Sequence, residues 1–96
     1  MNITESPKFA KMCRDYLAFL KEELDTLRQD VEQMNFERVH QIAHKTKGTS
    51  GAYKLDDISS KARALQESAD AGDGQRLTVA FDELYDLVKV TLQNLQ

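Results

Sequence analysis

The strongest constraint on the fold of this chain is a stripe of apolar residues at Cys13, Leu17, Leu20, Leu24, Leu27, Val31 and Met34. The positions advance by alternating steps of four and three, which gathers them on one side of a long α-helix. Three further stripes follow. The second runs through Phe36, Val39, Ile42, Ala43, Thr46, Thr49 and Tyr53, and the third through Leu55, Ile58, Ala62, Leu65 and Ala69. The fourth is Leu77, Phe81, Leu84, Val88, Thr91 and Leu95. No strand pattern lies between them, so each helix must bury its stripe against the others.

Local signals separate the four helices. Ser6 can cap the first, with Pro7 at the opening position, where a missing N–H does no harm. Asn35 is suited to cap the second, and Asp56 and Asp57 suit the positive end of the third helix dipole. Gly72-Asp73-Gly74 combines a glycine able to turn left-handed at a helix end with an aspartate able to cap the next helix. Short connections make successive helices antiparallel neighbours, so the expected fold is all-α, an up-down-up-down four-helix bundle. Turn signals break the stripes too often for one continuous coiled coil.

Ninety-six residues suit a single domain spanning 1–96. An apolar share of 41% is too high for a disordered chain. The single cysteine, Cys13, cannot form a bridge within the chain, and residues 1–10 lack an apolar signal core; a cytoplasmic protein is expected. No stretch approaches the ~20 apolar residues of a membrane span. The net charge of −3, from 13 basic and 16 acidic residues, disfavours nucleic acid as a partner. Charge is nevertheless uneven. Between Phe36 and Lys54, four cations (Arg38, Lys45, Lys47 and Lys54) face one acid, Glu37, giving +3 and leaving −6 for the rest.

At roughly 100° per residue, the second helix divides cleanly around His44. Glu37, His40, Gln41, Lys47, Gly48 and Gly51 fall within about 60° of it, and Val39, Ile42, Thr46, Thr49 and Tyr53 fall on the far side. His44 is therefore expected to face solvent. Gly48 follows one turn later and removes a side chain beside the imidazole, and Gly51 extends the cleared surface. Each glycine disfavours a helix interior by ~1 kcal/mol relative to alanine, so two on one face imply a use for the space. A partner could approach closely there.

The chemistry of this face suits phosphoryl transfer. A neutral imidazole offers a nucleophilic nitrogen lone pair, and histidine side chains titrate near ~6.5, so a large fraction is neutral at pH 7. A transferring phosphoryl group spreads negative charge over its oxygens, and a nearby cation stabilises it. Lys47, three residues after His44, is the better placed cation. Lys45 is expected to support the local field, and His40 and Gln41 to edge a docking surface.

The run Ala43-His44-Lys45-Thr46-Lys47-Gly48-Thr49-Ser50-Gly51-Ala52-Tyr53 resembles the signature of histidine-containing phosphotransfer (HPt) domains: a histidine before x-x-Lys-Gly, two small residues, then an apolar residue before a second glycine. The likeness extends loosely to the Leu17–Leu27 stretch before it and to Leu55, Leu65 and Gly72-Asp73 after it. It implies a four-helix bundle in which His44 is phosphorylated, Lys47 assists and Gly48 gives access. It further implies a phosphocarrier that is not itself an enzyme, partnered by receiver domains and a hybrid sensor histidine kinase. No cofactor is implied for the chain, magnesium being expected on the partner receiver, and a monomer is expected. One departure is Lys54, where the family usually has glycine, and the turn after the second helix is expected to differ.

Two other functions fit parts of the pattern. An interaction module would dock a partner on the same face without accepting phosphate. Alternatively, Glu37, His40 and His44 share one helical face at metal-ligand spacing, with zinc favoured over iron for such donors. Paired Glu-x-x-His elements in bundles point inward, however, and this single copy points outward. No glycine-rich nucleotide loop, Ser/His/Asp set or facing carboxylate pair suggests an autonomous enzyme.

Overall fold

In a computed structural model, which describes residues 6–95, the chain forms four helices: α1 (Pro7–Glu32), α2 (Phe36–Ala52), α3 (Asp56–Asp70) and α4 (Gly74–Leu95). No strand occurs among the described residues. The Ser6 hydroxyl accepts a hydrogen bond from the Phe9 amide at 3.4 Å, and Pro7 opens α1 as expected. At the start of α4, Asp73 Oδ1 accepts from the Arg76 amide at 3.1 Å. Asn35 differs from expectation. It precedes α2 but makes no capping bond, because its side-chain amide donates instead to Asp30 Oδ1 at 3.1 Å.

Six of the seven α1 stripe positions are buried, from Cys13 to Val31. Met34 is not among them: it lies beyond the helix end, 58% exposed and with φ of 56°. Amides of Met34 and Asn35 bond back to the carbonyls of Val31 and Asp30, the closed helix end in which glycine usually takes the left-handed position. The Met34 side chain reaches the start of α4, where a Cβ on Gly74 would stand 2.9 Å from its sulfur. Lys54 does the same at the end of α2. Its φ is 63°, and the Lys54 and Leu55 amides bond to the carbonyls of Gly51 and Ser50. The turn thus keeps the backbone that a glycine would adopt, which corrects the expected difference. Gly72, at φ of 65°, closes α3 in the same way.

The buried faces of the shorter stripes shift from the expected positions. On α2, Ser50 is buried and Thr49, Phe36 and Tyr53 only partly so. On α4, Leu92 and Ala80 join Leu77, Phe81, Leu84 and Val88, while Thr91 and Leu95 are half-buried. Ser68 joins Ile58, Ala62, Leu65 and Ala69 on α3, and Leu55 sits half-buried just before that helix. A strict four-three stripe follows 3.5 residues per turn, so a straight helix of 3.6 drifts away from it by about 20° per heptad.

Packing closes a ring of helices: α1 lies against α2 and α4, and α3 against α2 and α4. Leu17, Leu20, Leu24 and Leu27 of α1 meet Val39, Ile58, Leu65, Leu77, Phe81 and Leu84 in one core. The α1–α4 seam adds polar contacts. Tyr85 Oη donates to Asp25 Oδ1 at 2.6 Å, and the Arg28 guanidinium lies 4.9 and 5.0 Å from the ring centres of Phe81 and Tyr85. With α1 on one flank and α3 on the other, α2 keeps one outer face for solvent.

Candidate functional site

His44, Gln41 and Gly48 are exposed on the outer face of α2, with Ala43 and Thr46 buried beneath them. A Cβ placed on Gly48 would meet nothing within 4 Å, so the surface one turn after His44 is open. Gly51 is placed differently. It is half-buried toward α3, where a Cβ would make ordinary contact with Ser59 Oγ at 3.7 Å, so the expected extension of the cleared surface to Gly51 is only partial. Ser59 Oγ also donates to the Lys47 carbonyl at 2.9 Å, which fixes the backbone beneath that lysine. The Lys47 ammonium has no acidic partner among the described residues.

The basic island divides in space. Lys45 turns to α1 and pairs with Glu23 at 2.6 Å. Arg38 lines the α1–α2 groove with Phe19, Glu22, Glu23 and Asp30. Lys54 occupies the turn. Of the two lysines that follow His44 on α2, Lys45 is thus committed to α1, and Lys47, three residues from His44, makes no ion pair among the described residues. His40 turns the other way: its Nδ1 lies 2.6 Å from Asp70 Oδ1 of α3. The His40 and His44 rings are nearly parallel, 7° apart in plane with centres 6.1 Å apart. Glu37 is exposed one turn before His40. No group of three or more His, Cys, Asp or Glu side chains among the described residues is arranged to hold a metal ion.

Two features escaped the sequence reading. Tyr16 of α1 bonds Ser50 at 3.0 Å and stacks on Tyr53 with ring centres 4.8 Å apart, bracing the end of α2 below Gly51. Burial pushes the Tyr16 hydroxyl above its ordinary pKa, partly opposed by the Ser50 bond. Gln66 is the second. It stands one turn before Asp70 on α3, as His44 stands one turn after His40 on α2, so the contact between His40 and Asp70 brings Gln66 level with His44. Gln66 Oε1 is buried with no hydrogen-bond partner, and a buried acceptor calls for a donor. Nothing in the spacing of Gln66 marked it out, because a polar residue beside an apolar stripe is ordinary on a helix.

The chain is thus a helical bundle with an exposed histidine, a glycine one turn later and a nearby lysine without an acidic partner among the described residues, and comparison with known proteins bears on its class. The family model of the Hpt domain matches residues 11–96, and the chain belongs to that family. Hpt domains are helical phosphocarrier modules of phosphorelays that work with receiver domains and kinases. No curated protein and no solved structure matches the chain. No described helix is long and apolar enough to cross a membrane.

Proposed function

We propose that His44 accepts a phosphoryl group from a receiver-domain aspartate or a kinase and passes it to another receiver aspartate. The observation that carries this reading is the open ground beside an exposed imidazole: nothing lies within 4 Å of where a Gly48 side chain would begin. A ring nitrogen of His44 attacks phosphorus with its lone pair. The N–P bond forms as the P–O bond to the aspartate breaks, and the bonding pair stays on the carboxylate. Reversal with a second receiver completes the relay. The partner brings its magnesium, and Lys47 supplies positive charge beside the transferring group.

The same reading takes residues 1–96 as one domain, an antiparallel up-down-up-down bundle. Cross-helix contacts support it: Tyr16 meets Ser50 while Glu23, further along α1, meets Lys45, earlier on α2. Between α2 and α3, Lys47 meets Ser59 and the earlier His40 meets the later Asp70. A cytoplasmic monomer serving receiver domains and a hybrid sensor kinase fits this role.

Incubation with a phosphorylated receiver domain tests the proposal. Acid-labile label is expected on the wild-type chain, and His44→Gln should abolish it while still binding the receiver. An adaptor that only docks would signal equally well with His44→Gln.

A further inference from the structure

His40 and Asp70 are 30 residues apart in sequence, yet their side chains meet at 2.6 Å between Nδ1 and Oδ1. Both are substantially exposed, at 39% and 54%, and exposed pairs of this kind add little to stability. The contact does fix geometry. An ionised carboxylate can only accept, so Asp70 places a proton on Nδ1 of His40 and sets both tautomer and ring rotation. Helical side chains lean toward the N-terminus, which tilts His44 toward the anchored ring one turn before it. The two imidazoles lie nearly parallel, 7° apart with centres separated by 6.1 Å.

The geometry points to Asp70, acting through His40, as a positioning residue for phosphotransfer at His44, an inference that rests on the phosphocarrier reading above. Asp70 holds His40, and His40 forms a fixed polar wall on the N-terminal side of the reacting imidazole. On the C-terminal side Gly48 offers no side chain, so the orientation of His44 is restrained from one direction and open to a partner from the other. A nucleophile held in one orientation reaches the reactive geometry more often than one averaging over rotamers. Neither Asp70 nor His40 gains or loses a bond or a proton: N–P formation and P–O cleavage remain between His44 and the partner. Competing contacts are few. Lys45 is drawn to Glu23, and Glu37, exposed on the same helix, makes no hydrogen bond to His40.

Single-turnover transfer from a phosphorylated receiver domain, measured over a range of chain concentrations, tests the inference with Asp70→Ala, His40→Gln and the double variant. Each single change is expected to lower the limiting rate by roughly three- to thirty-fold, and the double variant to be no slower than the slower single one, as for residues acting through one contact. The half-saturating concentration should stay the same in Asp70→Ala. Three-bond couplings of His44 should report one χ1 rotamer in the wild type and averaging in Asp70→Ala. Wild-type rates in both single variants, independent and multiplying effects, or a change in half-saturation alone would overturn the positioning role. So would a lower melting temperature with a normal rate. His44→Gln separates phosphoryl acceptance at His44 from its positioning by Asp70. If the wild type takes label, His44→Gln does not, and Asp70→Ala transfers normally, only the positioning claim fails; if the wild type takes none, the phosphocarrier reading fails first.

Discussion

The α1–α4 seam and the outer face of α2 use charged residues in opposite ways. In the seam, Lys21 pairs with Asp25 and lies over the Tyr85 ring, while Arg28 pairs with Asp82 and stacks on Phe81 and Tyr85. Those cations are committed to partners within the molecule. On the face of α2, Lys47 has no acidic partner among the described residues, and Gly48 leaves open the surface that a side chain would cover. One region is closed on itself and holds helices together. The other leaves charge and space for something that arrives from outside.

The largest expected effect lies on the open face. Gly48→Gln should reduce transfer from a phosphorylated receiver by roughly tenfold or more by obstructing close approach, as small misplacements of reacting groups do. Melting temperature should hold or rise, since replacing a helical glycine gains up to ~1 kcal/mol and Gly48 does not have a left-handed backbone. A variant that folds well and transfers at the normal rate would erase the functional half of the contrast. In the seam the signs should reverse. Tyr85→Phe removes the bond to Asp25 and should lower stability by about 1 kcal/mol in denaturant unfolding, with transfer unchanged.

The seam also predicts a pH dependence. The Tyr85 hydroxyl, with Lys21 and Arg28 nearby, holds the Asp25 carboxyl below its ordinary pKa. A depressed carboxylate contributes stability that is present above its unfolded value of ~3.9 and is lost as pH falls through the lower folded value. Urea midpoints measured from about pH 5 downward should therefore fall less steeply in Tyr85→Phe than in the wild type. Parallel curves would show that the hydrogen bond adds nothing to folding. A smaller effect is expected at the turn beside the open face. Lys54→Gly should raise stability by about 1 kcal/mol or less, because lysine holds a left-handed φ of 63° that glycine adopts without a Cβ clash. Transfer should be unaffected, and a loss of stability would mean that the lysine side chain has a compensating contact.

How much of this was legible beforehand depended on whether the cause was local. The cap at Ser6, the left-handed Gly72 and the cap at Asp73 follow from side chains acting within a few residues, and all were readable. The exposure of His44 and Gly48 followed from angular position on a single helix. Stripe ends were less readable, since Leu92 replaces Thr91 and Ser50 replaces Thr49 once the helix has drifted from a strict four-three repeat. Met34 looked like the next step of a stripe, yet the turn needed its backbone in place of a glycine. Least readable were pairings between helices. Glu23 with Lys45, Asp70 with His40, and the unpartnered Gln66 depend on register across the bundle, which no single segment encodes.

Whether His44 carries the phosphoryl group can be read from NMR of the ¹⁵N-labelled chain before and after incubation with a phosphorylated receiver. One ring nitrogen of His44 should shift strongly on N–P bond formation, His40 should show only a neighbour effect, and His44→Gln should take no label while His40→Gln still does. Label retained in His44→Gln and lost in His40→Gln would exclude His44 as the carrier and move the reacting centre one turn toward the start of α2.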